Sequence, residues 1–148
     1  MAKFLLGNAR HQLDDKGRMR IPAKFREALG GSCCILPGRA GALFIVPEDK
    51  LMETLEAVRE ANAFANSDAN DLSTAITANA NYLEEDGQGR VRLPAELAQM
   101  VGIKKDIVFV GKLTYLEVWP AEVWDARYSV LNPDNLAKVL DRLKNLGV

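Results

Sequence analysis

Polar and apolar residues alternate strictly over Arg18-Met19-Arg20-Ile21 and again over Arg90-Val91-Arg92-Leu93. A period of two marks a strand with one wet and one buried face, so both arginines of each stretch should point outward together. Each stretch follows an Asp-x-x-Gly segment, Asp14 to Gly17 and Asp86 to Gly89. That is turn chemistry: the carboxylate bonds the amides ahead of it and glycine supplies a positive φ. Upstream, Leu5 to Leu13 and Ala78 to Glu85 read as incoming strands, which makes each Asp-x-x-Gly a hairpin tip. Downstream, Pro22 and Pro94 suit a first helical position, and Gly30 and Gly102 suit left-handed caps. Each unit therefore reads strand, turn, strand, short helix.

The remaining pattern repeats as well. Cys33 to Pro37 and Leu43 to Val46 are short apolar runs joined by a Gly-rich turn, which predicts a hairpin. A helix opens at Pro47-Glu48-Asp49, with acidic residues where its dipole favours them and Leu51, Met52, Leu55, Val58 and Ala61 as its buried stripe. Ile107 to Val110, Tyr115 to Trp119 and Pro120-Ala121-Glu122 follow the same plan with one residue inserted. Residues 62–81, rich in Asn, Ala, Ser and Asp, form the seam, where Ser67 can cap a helix running toward Ile76 with Ala75, Ile76 and Ala78 facing a partner. At the end of the chain, Asn132-Pro133-Asp134 is a cap with proline at the first helical position. Leu136, Val139, Leu140, Leu143 and Leu146 then form an apolar stripe that must be covered, either by the chain's own sheet or by a neighbouring subunit.

The two alternating stretches belong to one duplicated segment. Asp14 to Ala23 reappears as Asp86 to Ala95, 72 positions on, with the skeleton D-x-x-G-R-apolar-R-apolar-P-A. Two copies at so long a period indicate a duplicated unit rather than a repeat array. With 148 residues, the halves reach a substantial core only by packing together. The net charge of −1 says nothing of nucleic acid, but its distribution does. Residues 1–30 carry seven basic residues (Lys3, Arg10, Lys16, Arg18, Arg20, Lys24, Arg26) against three acidic ones, a local +4, whereas residues 76–102 come to −2. Only the first copy resembles a phosphate-binding surface.

Two readings stand for Arg18 and Arg20. In one they are a solvated face whose arginines pair with Asp14 and Asp15. In the other, a two-stranded ribbon with outward arginines enters the major groove, where Arg can bond guanine bidentately while Lys16, Arg10, Lys24 and Arg26 meet phosphates. For Arg90 and Arg92 the surroundings differ: Gln88 replaces Lys16, Glu96 replaces Lys24, and Glu84-Glu85 lie close by. The second motif then either contacts DNA or persists for folding, with Asp86, Gly89 and Arg90 holding the turn as Asp14 and Gly17 do in the first. His11, the one histidine, has no Ser, Cys or carboxylate in catalytic spacing, and a structural or phosphate-proximal place suits it. Cys33 and Cys34, adjacent in an apolar run, point to opposite faces of a strand and read as plain buried thiols. Trp119, Trp124 and Tyr128 read as core or subunit contacts. The acidic clusters lack the spacing of a metal loop, so no metal, cofactor or enzyme activity is expected. With neither a charged leader nor an apolar run approaching ~20 residues, a cytoplasmic address is expected.

The segment Leu13 to Arg26, together with the second copy at Asp86 to Pro94 and the order of elements between them, resembles the MraZ family. Its members carry two D-x-x-x-R elements in swapped-hairpin domains of the AbrB and SpoVT type. The resemblance covers nearly the whole chain. It implies an α+β, mainly β fold of two tandem swapped-hairpin β-barrel units forming an intrachain pseudo-dimer with flanking helices. The expected divisions are a first half at 1–61, a connecting helix or linker at 62–77, a second half at 78–128 and a C-terminal helix at 129–148. It also implies a nucleoid-associated regulator that represses its own division and cell wall operon by binding direct repeats in double-stranded DNA, assembled as a ring of identical chains. The alternative is a protein-interaction module of the antitoxin type, which this fold also serves; the capped C-terminal helix stands against it, since such antitoxins end in an extended tail.

Overall fold

The computed structural model describes residues 4–38, 41–60, 67–128 and 133–147. In chain order the elements are β1 (Asn8–Gln12), β2 (Arg18–Met19), α1 (Ala23–Leu29), β3 (Cys33–Pro37), β4 (Leu43–Pro47), α2 (Glu48–Glu60) and α3 (Ser67–Asn79). The second half continues with β5 (Asn81–Leu83), β6 (Val91–Arg92), α4 (Ala95–Val101), β7 (Asp106–Gly111), β8 (Leu116–Pro120), α5 (Ala121–Tyr128) and α6 (Pro133–Asn145). The fold is α+β. Its sheet is antiparallel throughout, in the order β1-β7-β8-β4-β3-β5, and β2 pairs with β6 in a separate two-stranded ribbon.

That order is symmetric under exchange of the halves. β1 counterparts β5, β3 counterparts β7 and β4 counterparts β8, so the sheet reads alike from either edge. Each half gives its first strand to the other: β1 pairs with β7, and β5 with β3. Two pairings lie on the local twofold axis. Met19 faces Val91, its own counterpart, and Phe44 faces Glu117, likewise its counterpart.

Three expectations are corrected. The sheet is open among the described residues, with β1 and β5 as unjoined edges, so no barrel closes. The motif strand pairs with the incoming segment only next to the turn, through the Asp14–Arg18 and Asp86–Arg90 backbone bonds and the Glu85–Val91 bridge; beyond it β1 goes to the sheet and β2 to β6, and the ribbon is built from both halves. Pro22 and Pro94 stand one position outside α1 and α4, and Gly30 has a positive φ with ψ −118, whereas Gly102 takes the left-handed cap. At Gly30 the cap N–H still bonds the Arg26 carbonyl.

The alternation at the motif is as expected and supplies the core. Met19, Ile21, Val91 and Leu93 are buried with Phe25 and Leu97 of the short helices against Ile35, Ile45, Ile107 and Phe109 of the sheet. Val108 and Trp119 face the other side with Ala42 and Ala121, and Trp119 stacks with Trp124 and Tyr128 at centroid distances of 6.1 and 5.6 Å. A sheet covered on both faces explains why its strands read as continuous apolar runs rather than alternating ones. Cys33 and Cys34 are free, buried and on opposite faces; burial pushes the Cys33 thiol up to about 11. Glu117, on the axis, is 2% exposed and accepts a bond from Trp119 Nε1 at 3.2 Å.

Outside this core the helices are loosely covered. α3, Ser67–Asn79, packs along α2, whose Leu51, Leu55 and Val58 are half-buried; Met52, expected in the same buried stripe, is exposed, because it stands on the side of α2 away from α3 and the sheet. Ala61 and Asn132 lie outside the described residues. The α6 stripe is not covered by the chain's own sheet: Leu136, Val139, Leu140 and Leu146 are all exposed. No described helix is long and apolar enough to cross a membrane.

Met19 is 1% exposed and sits where the halves meet. Truncation there removes core volume from both halves at once, so Met19→Ala should cost about 2–5 kcal/mol in urea unfolding. A loss under about 1 kcal/mol would contradict the placement of the ribbon in the shared core.

Candidate nucleic-acid interface

The two turns that feed the ribbon are chemically identical. Asp14 Oδ1 accepts the backbone N–H of Lys16 at 2.9 Å and of Arg18 at 2.8 Å, and its Oδ2 accepts Arg18 Nε at 2.7 Å. Asp86 repeats this with Gln88 at 2.8 Å, Arg90 N–H at 3.0 Å and Arg90 Nε at 2.9 Å. Gly17 and Gly89 close the turns at φ 74 and 76, a conformation in which any Cβ is strained. A Cβ at Gly89 would also come within 3.4 Å of the Arg26 guanidinium. The aspartate thus organises the loop from its own side chain, and the arginine four residues on is bound by the same carboxylate.

These bonds show in the titration of the turns. The Arg90 backbone N–H foremost, then that of Gln88, holds the Asp86 carboxyl down at about 2, and the Arg18 backbone N–H lowers Asp14 in the same way.

The eight basic residues marked in the sequence divide into two sets. Arg18 and Arg90 are bound to their turn aspartates and have side chains only 25% and 28% exposed; Arg90 also lies 3.9 Å from Asp14 across the ribbon. Arg26 reaches into the other half to Glu85 at 3.2 Å, and Arg10 forms an ion pair with Asp125 on α5. Lys16, Arg20, Lys24 and Arg92 are exposed and form no ion pair among the described residues. Lys24 Nζ stands 4.8 Å from the centroid of the Phe25 ring. His11 supports the strand from below, accepting the Arg20 N–H on Nε2 at 3.3 Å.

The register adds a feature absent from the linear sequence. Arg18 faces Arg92 directly across the ribbon. Like charges opposed on one face of a strand pair repel, which stabilises nothing unless an anion lies against them. Asp14 supplies part of that charge from within. The outer part faces solvent at Arg92, Arg20 and Lys16. Sequence reasoning found the pairing of Arg18 with Asp14 and of Arg90 with Asp86 but not the partners of Arg10 and Arg26: Asp125 and Glu85 lie 115 and 59 positions from the arginines they hold.

A family model described as "MraZ protein, putative antitoxin-like" matches residues 4–73 and 76–146, one match for each half. The chain belongs to the MraZ family. It is similar to proteins named "Transcriptional regulator MraZ" from Lachnoclostridium phytofermentans, with 34% identity over 98% of this chain and 99% of the relative. That of Desulfitobacterium hafniense is 36% identical over 98% and 100%, and that of Saccharopolyspora erythraea 37% over 82% and 84%. MraZ proteins are named as regulators and not as enzymes. The duplicated D-x-x-x-R element of the MraZ resemblance is, in this chain, the pair of Asp–Arg turns on either side of the ribbon. Among the described residues no group of His, Cys, Asp and Glu is gathered as a metal site would need.

The turns make a pH prediction. The carboxylates titrate lower folded than their ordinary value of 3.8, so their contribution is complete above that value and is lost as pH falls toward about 2. Urea midpoints measured from pH 6 to pH 2 should drop in that window. In Asp86→Asn the drop should be shallower; an unchanged profile would mean the turn bonds carry none of it.

Proposed function

We propose that this chain is a DNA-binding transcription regulator whose contact surface is the paired ribbon of β2 and β6 with its two turns. The observation that carries the reading is the set of exposed cations, without ion pairs among the described residues, formed by Lys16, Arg20 and Arg92 on the ribbon and its first turn and by Lys24 on the adjoining helix α1. The kinship with proteins named transcriptional regulators supports it. A ribbon of this width fits the major groove of B-form DNA. The four exposed cations meet phosphates. Arg18 and Arg90 have a different part: each is fixed through Nε by its turn aspartate, and Arg90 Nη1 also lies 3.9 Å from Asp14, so each guanidinium is set in place before contact and suited to a guanine edge.

The first copy carries more of the contact than the second. Around it lie Lys16 and Lys24, where the second copy has Gln88 and Glu96. Glu85 is partly neutralised by Arg26, so the second turn adds little repulsion and little attraction.

One ribbon is a small surface and binds weakly. Several identical chains joined as a ring present several ribbons, and linked weak contacts multiply affinity where DNA repeats match their spacing. On this reading the target is a set of direct repeats upstream of the chain's own operon, the division and cell wall cluster that the family resemblance implies, and occupancy there represses it. The antitoxin-type reading, echoed in the family description, predicts no salt-dependent DNA binding.

The test is binding to a duplex from upstream of the chain's own gene, titrated with salt. Log affinity should fall linearly with log salt. Arg20→Ala should reduce the slope by about 1 and weaken binding on all sequences alike. Arg18→Ala should cost about 1–3 kcal/mol and relax sequence preference. Binding absent at low salt would contradict the proposal.

A further inference from the structure

Helix α6 has its apolar stripe in solvent, with Leu140 50% and Leu146 75% exposed. At 3.6 residues per turn, Leu136, Val139, Leu140 and Leu143 fall on one face, and Leu146 follows in the turn just beyond the helix end. Arg142 and Lys144 stand about 100° to either side of it, and Asp134 and Asp141 lie behind. Lys144 has only a loose, exposed contact with Asp141 at 3.8 Å. The stripe is therefore edged by two cations. Leu143 is half-buried, and the other stripe residues are exposed.

The opposite character is found on the outer side of α2. A shallow groove of about 770 Å³ there is lined by Asp49, Glu53, Glu56 and Glu60 around Met52 and Ala57, with Met52 53% exposed. Lys50 and Arg59 pair with Glu53 and Glu56 at 3.4 and 3.7 Å in exposed contacts, and α2 as a whole still carries five acidic residues against two basic ones.

We infer that α6 of one copy of this chain docks on the outer face of α2 of the next, with its leucines over Met52 and Ala57 and Arg142 and Lys144 against the α2 carboxylates. The two surfaces are unlike and sit on different halves. The contact is heterologous, runs head to tail and leaves an open chain of copies with one free α6 at one end and one free α2 at the other until the assembly closes. It leaves the ribbon uncovered for DNA. The inference rests on the reading that the chain self-associates and says which elements do it.

The test is the mass of the full-length protein by light scattering across a concentration series, with Leu140→Glu, the pair Arg142→Glu/Lys144→Glu, and that pair combined with Glu53→Lys/Glu56→Lys. Wild type should assemble. Leu140→Glu should run as a monomer with an unchanged circular dichroism spectrum. The charge-reversed pair should associate roughly tenfold more weakly, exposed ion pairs being worth up to about fivefold each, and the fourfold variant should recover the association. A monomeric wild type would overturn both the self-association reading and this contact. An assembled wild type whose mass is unmoved by Leu140→Glu and by the charge reversal would overturn the contact alone. If Leu140→Glu loses its fold, recovery by the fourfold variant decides the matter, and a lack of recovery counts against the contact.

Discussion

Everything in this molecule depends on the fact that a two-residue strand cannot stand alone. β2 and β6 are each too short to satisfy their own backbone, and each finds its partner in the other half, Met19 against Val91. The consequence reaches the rest of the chain. Pairing across the axis buries Met19, Ile21, Val91 and Leu93 over a sheet that is itself shared, with β1 on β7 and β5 on β3. Neither half has a complete sheet or a complete core of its own. Halves of about seventy residues would bury too little surface separately, and exchange of strands gives one core of adequate size.

The same pairing makes the outer face basic. Because β2 and β6 run antiparallel about the axis, arginines that are distant in sequence become opposed neighbours, and the Asp–Arg turns lie at either side of them. On the proposed reading, folding and recognition draw on different charges of the one ribbon. Asp14 and Asp86 spend their charge on the turns and on Arg18 and Arg90, which fixes loop shape. Arg20 and Arg92, one alternation further on, keep theirs for solvent or a ligand. The duplication preserved the first use in both copies, while the flanking Lys16 and Lys24 give the first copy the stronger field.

Much of this was legible in the sequence, and the limits follow from physics. The alternation over Arg18 to Ile21 fixed which side chains are buried, and Asp-x-x-Gly fixed the turn, because both are set by residues within a few positions of each other. A period of two records a face but not a partner. It could not tell that Arg18 meets Arg92, that the ribbon joins both halves, or that the sheet stays open where closed barrels were expected. Long-range ion pairs were hidden for the same reason, so Arg10 and Arg26 read as free cations although Asp125 and Glu85 hold them. The stripe of α6 was plain, but what covers a stripe is a tertiary or quaternary matter.

The most direct test of the central claim, that the shared ribbon is the DNA-contacting surface, is hydrogen exchange of the intact protein with and without the upstream duplex, read by mass spectrometry. The account predicts slower exchange on DNA addition in peptides covering residues 14–24, a smaller effect over 86–96, and none in α6 beyond that of assembly. Protection confined to α2, α6 or the sheet edges, with the two turns unchanged at saturating DNA, would contradict it.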